Sequence, residues 1–85
     1  MIRLILFGTQ GCHLCERAEE LIGGYQAENP GLLLIEKIDI AEQEQWQARY
    51  AVRIPVLYHV QTDRELGWPF DQADIKAFLQ ALDQA

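Results

Sequence analysis

The chain has few of the residues that bind metals or build disulfide frameworks. Its 85 residues include two cysteines, two histidines and one methionine. A structural zinc site needs about four nitrogen or sulfur ligands, commonly in tandem pairs, and here only His13 and His59 accompany the thiols. A chain of this length buries enough apolar surface to fold as one domain, residues 1–85, without metal or disulfide. We therefore expect no metal site, and the two thiols are free for chemistry.

Basic residues and long apolar runs are also scarce. Seven lysines and arginines face thirteen acidic residues, for a net charge of −6. This balance argues against nucleic acid and anionic membranes as partners and favours basic or mixed protein surfaces. The first apolar run, residues 1–7, is too short to span a bilayer and precedes no signal-peptide cleavage site. We expect a cytoplasmic monomer, and in a reducing compartment a lone cysteine pair is more often catalytic than structural.

The motif Cys12-His13-Leu14-Cys15 lies where an apolar strand pattern turns into a helical one. Residues 2–7 form an apolar run of strand length, and residues 8–11 form a loop with two glycines. From Cys12 to about residue 28, apolar residues recur at helical spacing, although the Gly23-Gly24 pair is expected to end or kink this helix. The order is therefore strand, tight loop, helix.

The remaining chain extends this order to βαβαββα. After a turn at residues 29–31, the pattern predicts a strand over 32–39 and a helix over 41–52. In that helix, Trp46 and Tyr50 share one face and are expected to pack in the core. A third strand over 54–60 is followed by a hairpin turn and a short strand that ends near residue 67.

A final helix, capped by Asp71, buries Ile75, Phe78, Leu79 and Leu82. We therefore expect an α/β fold with a central, mixed, four-stranded sheet flanked by helices.

The spacing of the two cysteines favours redox chemistry. A disulfide between Cys12 and Cys15 closes so short a ring that it adds only about 2 kcal/mol of stability, which favours a reversible role over a structural one. At a helix start, the Cys12 sulfur would face unpaired N–H groups and the positive end of the helix dipole, which lower the pKa of a thiol. Cys15, one turn later and facing inward, would resolve a mixed disulfide. A protonated His13 would add a cation near the thiolate.

Other interpretations of the motif stay open. A second interpretation is that the pair contributes to an iron–sulfur or metal site, with Cys12 sharing the metal with glutathione or a second protomer. The thiols would be inert if the chain were only an interaction domain. Independently of the role of the thiols, His13 is alternatively a solvated surface residue without a tuning role.

At this point the chain resembles the glutaredoxin branch of the thioredoxin fold, and most closely the small bacterial glutaredoxin-like domains. The resemblance rests on the strand before Cys12-x-x-Cys15, on Ile54-Pro55-Val56, which is similar to the cis-proline signature of that superfamily, and on the turn at residues 67–71. It implies a dithiol–disulfide oxidoreductase in which a cis Pro55 lies against the cysteines. It also implies that the Ile54 backbone pairs with an extended substrate like an added strand.

Two departures bear on the substrate. Thr9 stands where glutathione-using relatives carry a lysine, and their paired glycines become Gly67-Trp68. We therefore expect no tightly bound cofactor, glutathione as a co-substrate at most, and a disulfide-containing protein or peptide as partner. Arg53, Trp68 and Asp71 are candidate substrate contacts. Alternatively, Asp71 only caps the last helix and Arg53 is a solvated surface charge.

Overall fold

The computed structural model describes residues 2–50 and 53–83, and its elements follow the predicted βαβαββα order. They are β1 (Ile2–Gly8), α1 (His13–Glu28), β2 (Leu33–Asp39), a 3₁₀ helix (Ile40–Glu42), α2 (Glu44–Tyr50), β3 (Val56–His59), β4 (Arg64–Gly67) and α3 (Gln72–Asp83). The predicted α/β fold is confirmed. Within the described ranges, no helix is long and apolar enough to cross a membrane.

The four strands form one mixed sheet in the order β2-β1-β3-β4. Strands β1 and β2 pair in parallel, from Ile2 opposite Leu33 to Gly8 opposite Asp39. Strand β3 pairs antiparallel with both β1 and β4. Because of these directions, the ends of β1, β2 and β4 and the start of β3 meet at one end of the sheet, and α1 begins there.

Helices cover both faces of the sheet. Because side chains alternate along β1, Leu4 and Leu6 face α1 and α3, whereas Phe7 faces α2. The ring of Phe7 lies 4.8 Å from that of Trp46 and 4.6 Å from that of Tyr50, centroid to centroid. The prediction that these two aromatic residues pack in the core is confirmed.

Helix α1 runs through Gly23-Gly24 without a break, contrary to the expected end or kink. Each mid-helix glycine costs about 1 kcal/mol relative to alanine, but the flanking Ile22 and Tyr25 are buried in the core and hold the helix in place. At Gly24 an added Cβ would lie 3.0 Å from the Gln72 side-chain nitrogen at the start of α3. The space beside Gly24 is thus filled by the flexible Gln72 side chain, which packs against α1.

The segment predicted as one helix over 41–52 is divided instead. Asp39 caps a separate 3₁₀ turn by accepting a 2.9 Å hydrogen bond from the Ala41 N–H, and α2 then ends at Tyr50. The rest of the predicted helix, residues 51 and 52, lies outside the described residues. The third strand begins two residues later than predicted, because the N–H groups of Arg53 and Ile54 donate to the Tyr50 carbonyl at 2.8 and 3.1 Å. Those two residues close a turn after α2 rather than extend the sheet.

Candidate active site

Cys12 is the N-cap of helix α1. Gly11, with a positive φ of 76°, turns the chain out of β1, and Cys12 has extended backbone angles before the helix begins at His13. Its side-chain sulfur accepts a hydrogen bond of 3.1 Å from the backbone N–H of Cys15. Cys12 thus lies at a helix start, with an N–H group directed at its sulfur.

Cys12 and Cys15 are joined as a disulfide, with their Cα atoms 5.2 Å apart. The two cysteines differ in exposure, because Cys15 is 6% exposed whereas Cys12 is only half-buried. Gly8, which the sequence placed in a loop, is the last residue of β1 and lies directly against the inner sulfur. A Cβ at Gly8 would stand 3.1 Å from Cys15 Sγ.

His13 is the most solvent-exposed side chain of the motif, at 93%. Its Nδ1 lies 3.7 Å from a carboxylate oxygen of Glu16, one turn into the same helix. A protonated His13 would therefore be partly neutralised by Glu16. Its tuning role stays a prediction.

Pro55 lies at the same end of the sheet as the cysteines. The antiparallel register pairs Phe7 with Val56, so one step further it brings Pro55 alongside Gly8, which contacts Cys15. The Ile54–Pro55 peptide bond is cis, and the buried Pro55 accepts a 3.1 Å hydrogen bond on its carbonyl from the Trp68 N–H. The topology thus assembles the cysteine motif, the proline turn and the turn after β4.

The three outer candidate residues already have partners within the protein. Arg53 forms an ion pair with Glu65. Asp71 accepts a 2.9 Å hydrogen bond from the Asp74 N–H, and the Asp74 carboxylate accepts a 3.0 Å bond from the Asp71 N–H, so Asp71 does cap α3. Trp68 is half-buried, with its ring edge-on to Phe70 at 5.1 Å. Direct substrate contacts by these side chains stay predictions.

Charged and aromatic side chains of α2, β3, β4 and the β3–β4 turn form a network that includes Arg53, close before Pro55 in the chain. The Tyr58 hydroxyl donates a 2.6 Å hydrogen bond to the Asp63 carboxylate. This hydrogen bond and the neighbouring Arg49 lower the pKa of Asp63. Burial raises the pKa of Glu65, but the neighbouring Arg53 and Tyr50 outweigh it and leave that pKa below its usual value. Burial and the neighbouring Glu65 raise the pKa of Tyr50 to about 12. Arg49 and Arg53 are therefore each paired with a carboxylate.

A cleft of about 430 Å³ opens beside the cysteine pair, on the side of β1 where β2 lies and away from β3 and Pro55. Besides Cys12 and Cys15, its lining includes the charged residues Glu16, Glu19, Lys37, Asp39 and Glu42. The sequence did not reveal this cluster, because its members lie on α1, β2 and the 3₁₀ helix and meet only in the fold. In the described part of the chain, no group of three or more His, Cys, Asp and Glu side chains is placed to hold a metal ion.

Comparisons with known proteins agree with the fold. The sequence model of the glutaredoxin-like domain family (DUF836) matches residues 3–80. The chain is similar to the structure of protein XcR50 from X. campestris, at 32% identity and a TM-score of 0.75, covering 92% of this chain and 96% of that one. Protein Ne2328 from Nitrosomonas europaea gives 32% identity and a TM-score of 0.74, with coverages of 89% and 88%.

A more distant likeness concerns the fold alone. Thioredoxin 1 from Thermosipho africanus superimposes with a TM-score of 0.63 at 17% identity, covering 96% of this chain and 99% of that one. A search of curated proteins finds no match. The family match spans the cysteine motif, the proline turn and most of α3, and the chain accordingly belongs to the glutaredoxin-like domain family (DUF836) with a thioredoxin-like fold.

Proposed function

We propose that this protein is a thiol–disulfide oxidoreductase in which Cys12 attacks the substrate and Cys15 resolves the intermediate. The observation that supports it most is the asymmetry of the pair. Cys12 is the half-buried sulfur at a helix N-cap, and Cys15 is the buried sulfur behind it. An N–H donated to Cys12 Sγ, together with the helix dipole, favours thiolate over thiol at the position that meets the substrate.

The proposed reaction balances as two thiol–disulfide exchanges. The Cys12 thiolate attacks one sulfur of a substrate disulfide, forming a Cys12–substrate bond and releasing the other substrate sulfur as a thiolate. Deprotonated Cys15 then attacks Cys12 Sγ, which restores the Cys12–Cys15 disulfide and releases the second substrate thiol. Two electrons pass to the substrate. A thiol reductant of a reducing compartment such as the cytoplasm would return them, with no bound cofactor.

The proposed substrate is a disulfide-containing protein or peptide that lies extended beside Pro55. The Ile54 N–H already donates to the Tyr50 carbonyl, so an added strand would pair with the Ile54 carbonyl. Trp68, whose N–H is bonded to Pro55, would border this strand. Glutathione is proposed only as a co-substrate.

Single serine substitutions test the assigned roles. Cys12→Ser should abolish reduction of a peptide disulfide, because the attacking sulfur is gone. Cys15→Ser should stop turnover after the first exchange and accumulate a Cys12–peptide adduct, which intact-mass measurement would reveal. An active Cys12→Ser variant would mean that Cys12 is not required. An adduct on Cys15 of that variant would mean that the two roles are reversed.

A redox titration separates this function from an inert thiol pair. We expect the Cys12–Cys15 couple to equilibrate with glutathione buffers at a potential of about −270 to −180 mV, between those of thioredoxin and the disulfide isomerases. A potential below about −300 mV would indicate a structural bridge. A coloured preparation containing iron and acid-labile sulfide would instead support the iron–sulfur alternative.

A further inference from the structure

The cleft beside the cysteine pair carries an excess of negative charge. Of the ionised groups in its lining, four are carboxylates, on Glu16, Glu19, Asp39 and Glu42, and one is the ammonium group of Lys37. The Lys37 Nζ lies 2.8 Å from a Glu19 carboxylate oxygen, so this cation is already paired.

The unpaired carboxylates are open to solvent and to a ligand. The Glu16 side chain is 66% exposed, and its nearby cation, His13, is charged only when protonated. Glu42, on the 3₁₀ helix, is also exposed. Toward the opposite edge of the sheet, near β4, Arg49 and Arg53 instead form ion pairs with Asp63 and Glu65. The cleft that contains the disulfide therefore carries a net charge of −3, which is half of the net charge of −6 of the whole chain.

A ligand is expected in this cleft because the cysteine pair lines it, and not because of the carboxylates. A metal ion is a poor candidate, because the described residues hold no cluster with metal-binding geometry. A substrate, however, must reach Cys12 Sγ, and Cys12 and Cys15 both line the cleft. A substrate that lies beside Pro55 and continues past Cys12 Sγ would then enter this cleft, where Glu16 and Glu42 are exposed.

We infer that the substrate of this site is a polypeptide with lysine or arginine beside its reacting cysteine. This inference rests on the proposed function. The exposed carboxylates attract a cationic segment and raise its encounter rate, whereas they repel an acidic segment. Because both groups are solvated, added salt screens the interaction over about 10 Å at 0.1 M.

Two matched peptides test this preference. Each carries one cysteine joined to 2-mercaptoethanol by a disulfide, flanked by two lysines in one peptide and two glutamates in the other. Reduction by the dithiol form of the protein is timed for both, and each rate is divided by the rate with free dithiothreitol to remove intrinsic reactivity. We expect the lysine peptide to react about tenfold faster at low salt, and less than about threefold faster at 0.5 M salt.

A pair of double variants locates the effect. Glu16→Gln with Glu42→Gln should lower the lysine-to-glutamate rate ratio at least about threefold. Glu28→Gln with Glu36→Gln removes the same charge from exposed positions that do not line the cleft, and should leave the ratio unchanged. Equal rates for the two peptides, or an equal fall in both variants, would overturn the inference while leaving the redox function intact. If neither peptide reacts faster with wild type than with Cys12→Ser, the proposed function fails as well.

Discussion

Gly8 and Cys15 lie in direct contact, so that a Cβ on Gly8 would stand 3.1 Å from Cys15 Sγ. Such a contact is tighter than side chains normally accept, and the disulfide prevents Cys15 from moving away alone. The last residue of β1 is therefore matched to the inner sulfur of the site.

Gly8→Ala should disturb the cysteine pair through this contact. We expect a loss of about 1–2 kcal/mol in unfolding free energy, as for other overpacked sites, and a fall of at least about threefold in the rate of disulfide reduction. Urea unfolding and a peptide-disulfide assay measure the two effects. Gly23→Ala is the control, because open space surrounds Gly23 and alanine should stabilise the helix by about 0.5–1 kcal/mol without changing the rate. Equal activity in the two variants would refute the steric role of Gly8.

Cys12 should be alkylated before Cys15 in the reduced protein. Its sulfur is the more exposed one and accepts the Cys15 N–H, whereas Cys15 is buried. Peptide mapping after limiting iodoacetamide at neutral pH measures the order. Preferential labelling of Cys15 would mean that the assigned roles are reversed.

Glutathione mixed disulfides should be poorer substrates than protein disulfides. Thr9 supplies no cation near the motif, Trp68 occupies the turn after β4, and the net charge of −6 gives an anionic tripeptide no long-range attraction. Turnover of a small glutathione mixed disulfide is compared with that of a protein disulfide under the same regenerating system. A tenfold advantage for glutathione, about 1.4 kcal/mol in transition-state preference, would instead support a working site at Arg49, Arg53 and Asp71.

Substitutions at Asp71 separate capping from substrate binding. Asparagine caps a helix about as well as aspartate, so Asp71→Asn should retain stability, whereas Asp71→Ala should lower the unfolding free energy by about 1 kcal/mol. Chemical denaturation measures both. If Asp71→Asn is stable yet loses turnover, the carboxylate contacts the substrate and its role is not capping alone.

The Tyr58–Asp63 hydrogen bond should make stability fall in acid. It lowers the pKa of Asp63 from 3.8, so its contribution is complete above that value and disappears as the pH falls through the folded-state pKa. Tyr58→Phe should therefore show a smaller loss of unfolding free energy between pH 7 and pH 3 than wild type. In an Asp63→Asn background the same substitution should leave the pH dependence unchanged, and a persistent effect there would assign it to another group.

Local chemistry made part of this structure predictable. The helix start at Cys12 and the cap at Asp71 depend on residues within one turn, and the alternation along β1 determines which side chains face each layer. The crossover through α1 favours the parallel pairing of β1 with β2, and a short turn favours the β3–β4 hairpin.

Features that depend on distant residues were not predictable. Gly24 reads as a helix breaker until the neighbouring Ile22 and Tyr25 are seen in the core, packed with residues distant in the sequence. Gly8 reads as a loop residue until β2 pairs with β1 as far as Asp39 and extends the sheet to the motif. The acidic cleft likewise joins Glu16 to Glu42, which no local pattern connects.

In the proposed mechanism, one sulfur atom is both the cap of a helix and the atom that reacts. A bond from Cys12 to a substrate that drew this sulfur outward would break its hydrogen bond with the Cys15 N–H and leave the helix uncapped. An N-cap stabilises a helix by about 1 kcal/mol, roughly a fivefold bias in an equilibrium constant. Recapping would then favour product release, and the order of the first turn of α1 would report the stage of the reaction.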